Sequence, residues 1–318
     1  AMRGASEASV SVANLELEDA RLSLISEIAR TYVEYRSSEA QTAILDEIIE
    51  RQARLVEAVR KRRDAGEASD IDLLHSQTQL AEFEARRPAL NAASRTQLAS
   101  LAILTGRLPG ELQMGASSGS TVLNTPDMLP QAVGSDTFRN RPDVRRAEQA
   151  YTLAARREDI AAIDLYPSVT LIASAGPNAT DFSDVLDPAS LAANLAGLVS
   201  WTLFDSGKRK ALQSAASERT VQAELAYRRA VLAAAGDVEL ALAHVAQANS
   251  DFALASSLAS QKKTLVDMAE ARLAGGTGTV LEVLNAEQDA GEQQLKVVAL
   301  KATFVSSALS LEKAIGRY

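Results

Sequence analysis

Apolar residues recur every three to four positions over most of the chain. Ile44, Leu45, Ile48, Ile49, Leu55, Val56 and Val59 make one such stripe, the period of an amphipathic helix. The surrounding pattern predicts one helix from about Ser6 to Arg63, which at about 1.5 Å per residue is roughly 90 Å long. A one-sided globular core cannot cover such a rod, so it needs partner helices, as in a coiled coil or bundle. Asp64-Ala65-Gly66-Glu67 reads as a turn, and a second helix returns from about Asp70 to Thr105. A stretch rich in Gly, Pro and Ser follows, with little room for a long element. Arg141 to Leu165 is helical again, with Pro142 in its first turn. A further helix from about Lys208 to Leu273, a turn at Gly275-Gly276 and a returning helix from Thr279 to Ile315 complete the chain.

Between these helices the period changes to two. Val169, Leu171, Ala173 and Ala175 point one way, and Ser168, Thr170, Ile172 and Ser174 the other. After a loop from Gly176 to Ser190, Leu191, Ala193, Leu195, Gly197, Val199, Trp201 and Leu203 share a face, with Asn194, Ser200 and Thr202 opposite. Two strands of about 8 to 14 residues are predicted, bracketing the 9 to 11 that a membrane-spanning strand needs. An apolar face toward lipid, with Trp201 and Phe204 at one end, fits a transmembrane barrel hairpin with an interfacial aromatic girdle. An ordinary hairpin packed on a core fits the alternation equally. A single hairpin cannot close a barrel and would need strands from elsewhere.

The two halves superimpose in sequence without a gap at an offset of 210. Leu55 falls on Leu265, Arg62 on Arg272, Gly66 on Gly276, Leu74 on Leu284 and Gly106-Arg107 on Gly316-Arg317. Ala5, Leu15 and Leu22 fall on Ala215, Leu225 and Leu232. Two antiparallel helix hairpins of equal length are the expectation, a tandem structural duplication. By the same logic the first copy should be preceded by its own polar helix and strand pair, roughly 70 or more residues.

Composition narrows the function. Aromatics make up 4% of the chain, which favours long helices over a thick core. A net charge of −8 disfavours nucleic acid as a partner. There is no cysteine, hence no disulfide framework and no thiolate metal site. No uninterrupted apolar run reaches about 18 residues, so no transmembrane helix is expected; Val231 to Ala246 is broken by Asp237, Glu239 and His244. His75 and His244 lie on different helices, and Gly275-Gly276-Thr277-Gly278 joins two helices rather than a strand and a helix. Neither a nucleophile with its base nor a phosphate-binding loop is legible.

"RPDVRRAEQAYTLAARREDIAAIDLYPSVTL", followed by "SWTLFDSGKRKA", resembles the outer-membrane factor family, the TolC- and OprM-type efflux channels. The Arg-Pro-Asp opening, Tyr166-Pro167 at the helix-to-strand junction and Leu203-Phe204-Asp205 with Gly207 carry the resemblance, which extends over essentially the whole chain. The form is similar to the branch that partners resistance-nodulation-division pumps, with a type I secretion channel as an alternative. The resemblance implies a mainly α protein with a transmembrane β-hairpin. It implies a homotrimer in the outer membrane, whose strands close one shared barrel in lipid and whose helices form a periplasmic tunnel. A periplasmic adaptor and an inner-membrane pump would be the partners, and transport would be passive, without cofactor, metal or catalysis. Residues 1–107 and 205–318 would be the two helical repeats and 108–140 an equatorial linker. Residues 141–167 would lead to the barrel, and 168–204 would span the membrane. A non-channel periplasmic helical module is the competing reading, though it would be expected to have one hairpin rather than two.

The family closes its tunnel near the helix tips with acidic rings, which places Glu282 and Asn285, three apart on one helical face, at the constriction. Asn285 departs from the acid found there in better-known members. Asp72 and His75 are the matching positions of the first repeat, with Asp72 expected to bond between helices. All four are equally the solvated residues of any exposed helix. Gly66, Glu67, Gly275, Gly276 and Thr277 are the expected adaptor contacts at the two turns, where glycine also serves as a helix cap. Arg60, Lys61, Arg62 and Arg63 suit the C-terminus of a helix.

Overall fold

The computed structural model describes residues 2–114, 139–177 and 191–317. Helix α1 runs over Met2–Asp64, α2 over Asp70–Glu84, α3 over Arg87–Leu104 and α4 over Pro142–Ile163. Strands β1 (Ser168–Pro177) and β2 (Leu191–Ser200) follow, then α5 (Lys208–Ala274) and α6 (Val280–Ala314). The fold is mainly α, with long helices in a tandem repeat and, among the described residues, one β-hairpin. Most of the expected linker and the hairpin loop lie outside the described residues.

The repeat is visible in how its helices end. Gly66 and Gly276 take positive φ, at 79° and 70°. Beyond them the Glu67 N–H donates to the Arg62 carbonyl at 2.8 Å and the Thr277 N–H to the Arg272 carbonyl at 3.0 Å. The second helix of each hairpin closes in the same way at Gly106 and Gly316, with Arg107 donating to Ala102 and Arg317 to Glu312. Each is a Schellman cap, which satisfies otherwise orphaned carbonyls and needs a residue tolerant of left-handed backbone. Four such caps in two pairs, all 210 apart, support the duplication independently of composition. Helix starts match as well, with Ser69 capping α2 and Thr279 capping α6.

One expectation fails between the repeats. The single helix read from Asp70 to Thr105 is broken between Glu84 and Arg87. Pro88 supplies no N–H, and its ring crowds the carbonyl four residues earlier, that of Glu84. The counterpart of Pro88 is Val298, and α6 runs through unbroken.

The chain divides into two compact units, one of Ala1–Leu17 with Pro142–Leu232, the other of Glu18–Arg141 with Ala233–Tyr318. In the second unit the hairpins pack side by side. Val238, Ala241, Val245, Ala248, Phe304 and Leu311 join α5 to α6, and Phe252 stacks on Phe304 at 6.3 Å. Leu45, Ile48 and Phe83 form a cluster with Leu295 of α6. Nearer the tips, Val59, Val280 and Leu284 form another, joined by Leu55 and Leu73. Gly291 lets α6 approach closely, since a Cβ there would meet Ile48 at 3.3 Å and Phe83 at 3.4 Å.

In the first unit β1 and β2 pair antiparallel, Ser168 opposite Ser200 and Pro177 opposite Leu191. This register puts Val169, Leu171, Leu195 and Val199 on one face, all strongly exposed. The second strand ends at Ser200, not at Phe204 as the alternation suggests. The next ladder partner would be Pro167, which has no N–H to donate. Trp201 and Phe204 therefore lie beyond the strand, both exposed. Two helices, α5 and α6, do contain an 18-residue window long and apolar enough to cross a membrane by composition, which corrects the reading of uninterrupted runs. The average tolerates the polar and charged residues that interrupt each apolar run, and only 22% and 28% of the two windows is buried.

Candidate functional site: two helix tips, an open seam and the hairpin base

The tips share a backbone and differ in charge. At the first, the Ser69 hydroxyl accepts from the Asp72 N–H at 3.2 Å, while Asp72 Oδ2 accepts from the Ser69 N–H at 2.9 Å and its hydroxyl at 2.8 Å. This reciprocal capping box commits Asp72 to its own turn. The two Ser69 donors hold its carboxyl below the usual aspartate range, with His75 adding a smaller push. His75 is exposed. Arg62 faces Glu67 at 3.7 Å, and Arg63 pairs with Asp64 at 3.0 Å and Asp70 at 3.3 Å. Gly66 and Glu67 are exposed.

At the second tip the Glu282 N–H donates to Thr279 Oγ1 at 3.2 Å. The Glu282 carboxylate is ion-paired with Arg272 at 3.2 Å, a charge contact without hydrogen-bond alignment. Arg272 also donates to the Thr277 carbonyl at 3.1 Å. Asn285 is exposed, as are Gly275, Gly276 and Thr277. A Cβ at Gly278 would stand 2.9 Å from Arg272 Cβ and 3.0 Å from backbone atoms, so this loop lies against its helix as the first, with Ala68 at that place, does not.

The repeat also exposes an unfinished seam. Leu55 and the fully buried Leu284 pack in one cluster between α1 and α6. Their counterparts, Leu265 on α5 and Leu74 on α2, are 57% and 64% exposed. Ile48 is 2% exposed and its counterpart Leu258 is 41%. Leu254 and Met268 continue the exposed stripe on α5, so that Leu254, Leu258, Leu265 and Met268 keep the alternating spacing of a coiled-coil seam. Contacts within each hairpin do not diverge in this way, since Val56 and Val266 are both buried.

Two arginines organise the approach to the strands. Arg141 donates to the Ala314 carbonyl and to Asp237, both at 3.0 Å, tying the end of α6 to α5. Arg209 donates to the Asp164 carbonyl at 2.7 Å and to Thr202 Oγ1 at 2.6 Å, so one side chain fastens the exit of α4 to the exit of β2. Asp205 receives the Gly207 and Arg209 N–H groups at 3.1 Å each, starting α5 after Ser206 and Gly207 turn the chain at φ 56° and 82°. The motifs around Arg141 and Arg209 are visible in the sequence, but Ala314 and Asp237, the partners of Arg141, and Asp164, a partner of Arg209, are distant in the chain.

Residues 1–107 and 133–317 match the model of the outer membrane efflux protein family. The chain belongs to that family. It is 24% identical over 308 residues to the pyoverdine export outer membrane protein OpmQ of Pseudomonas putida, covering 97% of this chain and 65% of that protein. It is 23% identical over 297 residues to the toluene efflux pump outer membrane protein TtgI of Pseudomonas putida, covering 93% and 63%. The chain thus spans just under two thirds of the length of these efflux proteins. Among solved structures, the outer-membrane channel OprN superimposes with a TM-score of 0.80 at 24% identity, covering 99% of this chain and 71% of that one. CusC superimposes at 0.82 and 21% identity, covering 99% and 74%. These likenesses establish the outer membrane efflux protein fold for the described helices and hairpin.

Proposed function

We propose that the chain is the outer-membrane channel of a tripartite efflux system. It would be a passive conduit for small molecules handed on by an inner-membrane pump through a periplasmic adaptor. The observation that carries this reading is the open seam. A contact made inside the chain by Leu55 and Leu284 is left unmade by their counterparts Leu265 and Leu74, and a second copy of the chain supplies the missing half to each. Head-to-tail contacts of this kind close into a ring when the rotation between copies closes, and three copies would give six hairpins around one tunnel. The β-hairpin supports the same closure, because an isolated two-stranded ribbon is marginal in water and open edges are not tolerated in lipid.

In this reading residues 1–107 and 205–318 line the tunnel, 168–204 join the shared barrel, and 108–140 and 141–167 connect them. Trp201 and Phe204 sit at the membrane interface. Glu282 and Asn285, with Asp72 and His75, ring the constriction. Gly66, Glu67, Gly275, Gly276 and Thr277 meet the adaptor. No catalytic step is assigned. Relatives named for pyoverdine export and toluene efflux support small molecules as cargo.

Because the chain has no cysteine, Leu74→Cys with Leu265→Cys gives a background-free test. Mild oxidation in native membranes is expected to yield covalently linked multimers ending at three copies. Cross-links absent from membranes that contain the folded protein would refute the closure.

A further inference from the structure

The two apolar clusters that hold the hairpins together near the tips are separated by a polar layer. Leu45, Ile48 and Phe83 lie on one side, and Val59, Val280 and Leu284 on the other. Between them α1 contributes Arg51 and Gln52, α2 contributes Ser76 and Gln79, and α6 contributes Glu287 and Gln288. Gln52 is 1% exposed, and neither atom of its amide has a hydrogen-bond partner. Gln79 donates to Gln288 Oε1 at 2.9 Å but leaves its own Oε1 unpaired. Glu287 is 8% exposed. It is ion-paired with Arg51 at 3.7 Å, and that guanidinium gives its shorter contact, 3.1 Å, to Gln294.

Buried polar atoms without partners are costly and normally rare. This layer has unpaired acceptors in Gln52 Oε1 and Gln79 Oε1 beside one unpaired amide nitrogen, Gln52 Nε2. A carboxylate at position 287 can only accept and sets a charge in this buried layer, whereas a carboxylic acid is neutral and also brings a donor into it. The charges that act on Glu287 come from Arg51 and Arg54 on α1 and from Asp267 and Glu270 on α5; α2 offers the neutral Ser76 and Gln79. The repeat shows the layer to be particular to this seam. The counterparts of Gln52 and Gln79 are Lys262 and Asp289, an ion pair at 2.5 Å. Those of Arg51 and Glu287 are Gln261 and Gln77, both neutral.

We propose that this layer is a proton-sensitive latch, which holds the two hairpin tips together when Glu287 is protonated and loosens them when it is ionised. Burial, reinforced by Glu270 and Asp267 and opposed by Arg51 and Arg54, raises the carboxyl above the ordinary glutamate range. A raised acid contributes its stabilisation in full below the unfolded value and loses it as pH rises through the folded one. The latch therefore tightens on acidification. It is a property of the chain itself and does not depend on the channel reading.

Hydrogen exchange on the full-length protein tests this, reading tip peptides around Arg63–Asp72 and Arg272–Glu282 between about pH 4.5 and about pH 8, corrected for intrinsic exchange. Wild-type tips are expected to become several-fold better protected on acidification, about tenfold at most. Glu287→Gln, nearly isosteric and neutral, should hold the protected level at every pH. Arg51→Gln, which removes the cation favouring the carboxylate, should move the wild-type midpoint upward. The latch is overturned if wild-type protection does not change with pH, or if Glu287→Gln keeps the wild-type dependence. An Arg51→Gln midpoint that stays or falls also overturns it.

Discussion

The open seam predicts that one substitution, made at two repeat-related positions, has opposite consequences. Leu284→Ala empties a site that is fully buried within the chain. The transfer loss at about 0.8 kcal/mol per methylene is about 2.4 kcal/mol, and the unfilled cavity brings the usual range to about 2–5 kcal/mol. Leu74 is 64% exposed, so in a single chain Leu74→Ala removes little and should cost less than about 0.5 kcal/mol. In a closed ring the same side chain becomes covered. The share of a leucine's burial still available there is worth about 1–2 kcal/mol per seam, or about 3–6 kcal/mol over three seams if the sites add. The assay pairs denaturant unfolding of the dissociated chain with thermal dissociation of the assembly, followed by native mass spectrometry. Leu284→Ala should lower the unfolding midpoint; Leu74→Ala should leave it and lower the dissociation temperature. The reasoning fails if Leu74→Ala destabilises the dissociated chain as much as Leu284→Ala does, or if it leaves the assembly untouched.

Other expectations follow from the tips and the hairpin supports. Gly278→Ala should destabilise the second tip by about 1–3 kcal/mol because its Cβ meets backbone, while Ala68→Gly at the first tip stays near neutral; local exchange rates report both. Glu282→Ala should weaken cation block of single-channel conductance and Arg272→Gln should strengthen it, since Arg272 partly neutralises the carboxylate; unchanged block in both removes Glu282 from the constriction. Asp72 has a lowered carboxyl, so its capping contribution is present above the usual aspartate range and disappears as pH falls through the depressed value. The start of α2 should then exchange faster in acid, and Asp72→Asn should abolish that change. Arg141→Lys keeps the charge but not the forked geometry, and should cost about 1.5–3 kcal/mol in thermal unfolding.

Elements governed by local chemistry were legible in the sequence, and contacts across the chain were not. Gly66 and Gly276 announced both turns because a Schellman cap needs a residue at positive φ, and the identical offset at Gly106 and Gly316 revealed the duplication. Periodicity alone placed β1, but it carried β2 four residues too far because the limit came from the partner strand at Pro167. Pro88 was present to be read and was overridden by the helical pattern on both sides. The pairing of Arg272 with Glu282, the clamps at Arg141 and Arg209, and the polar layer at Glu287 depend on which helices adjoin. A periodic pattern specifies that a face is covered, not by what. The exposure of Leu74 and Leu265 was beyond sequence altogether, since both match in type their counterparts Leu284, fully buried, and Leu55, packed against the same cluster.

The matched seams also fix an order of events. The joint through Leu55 and Leu284 is made within one chain, so its halves meet at the effective concentration of tethered segments, of order millimolar. It can form however few molecules are present. In the proposed ring the joint at Leu265 and Leu74 would be intermolecular and follow mass action. A ring built this way matures in two stages, paired hairpins first and closure afterwards. When copies are scarce, the proposed ring would stall with the joint at Leu55 and Leu284 made and the one at Leu265 and Leu74 unmade.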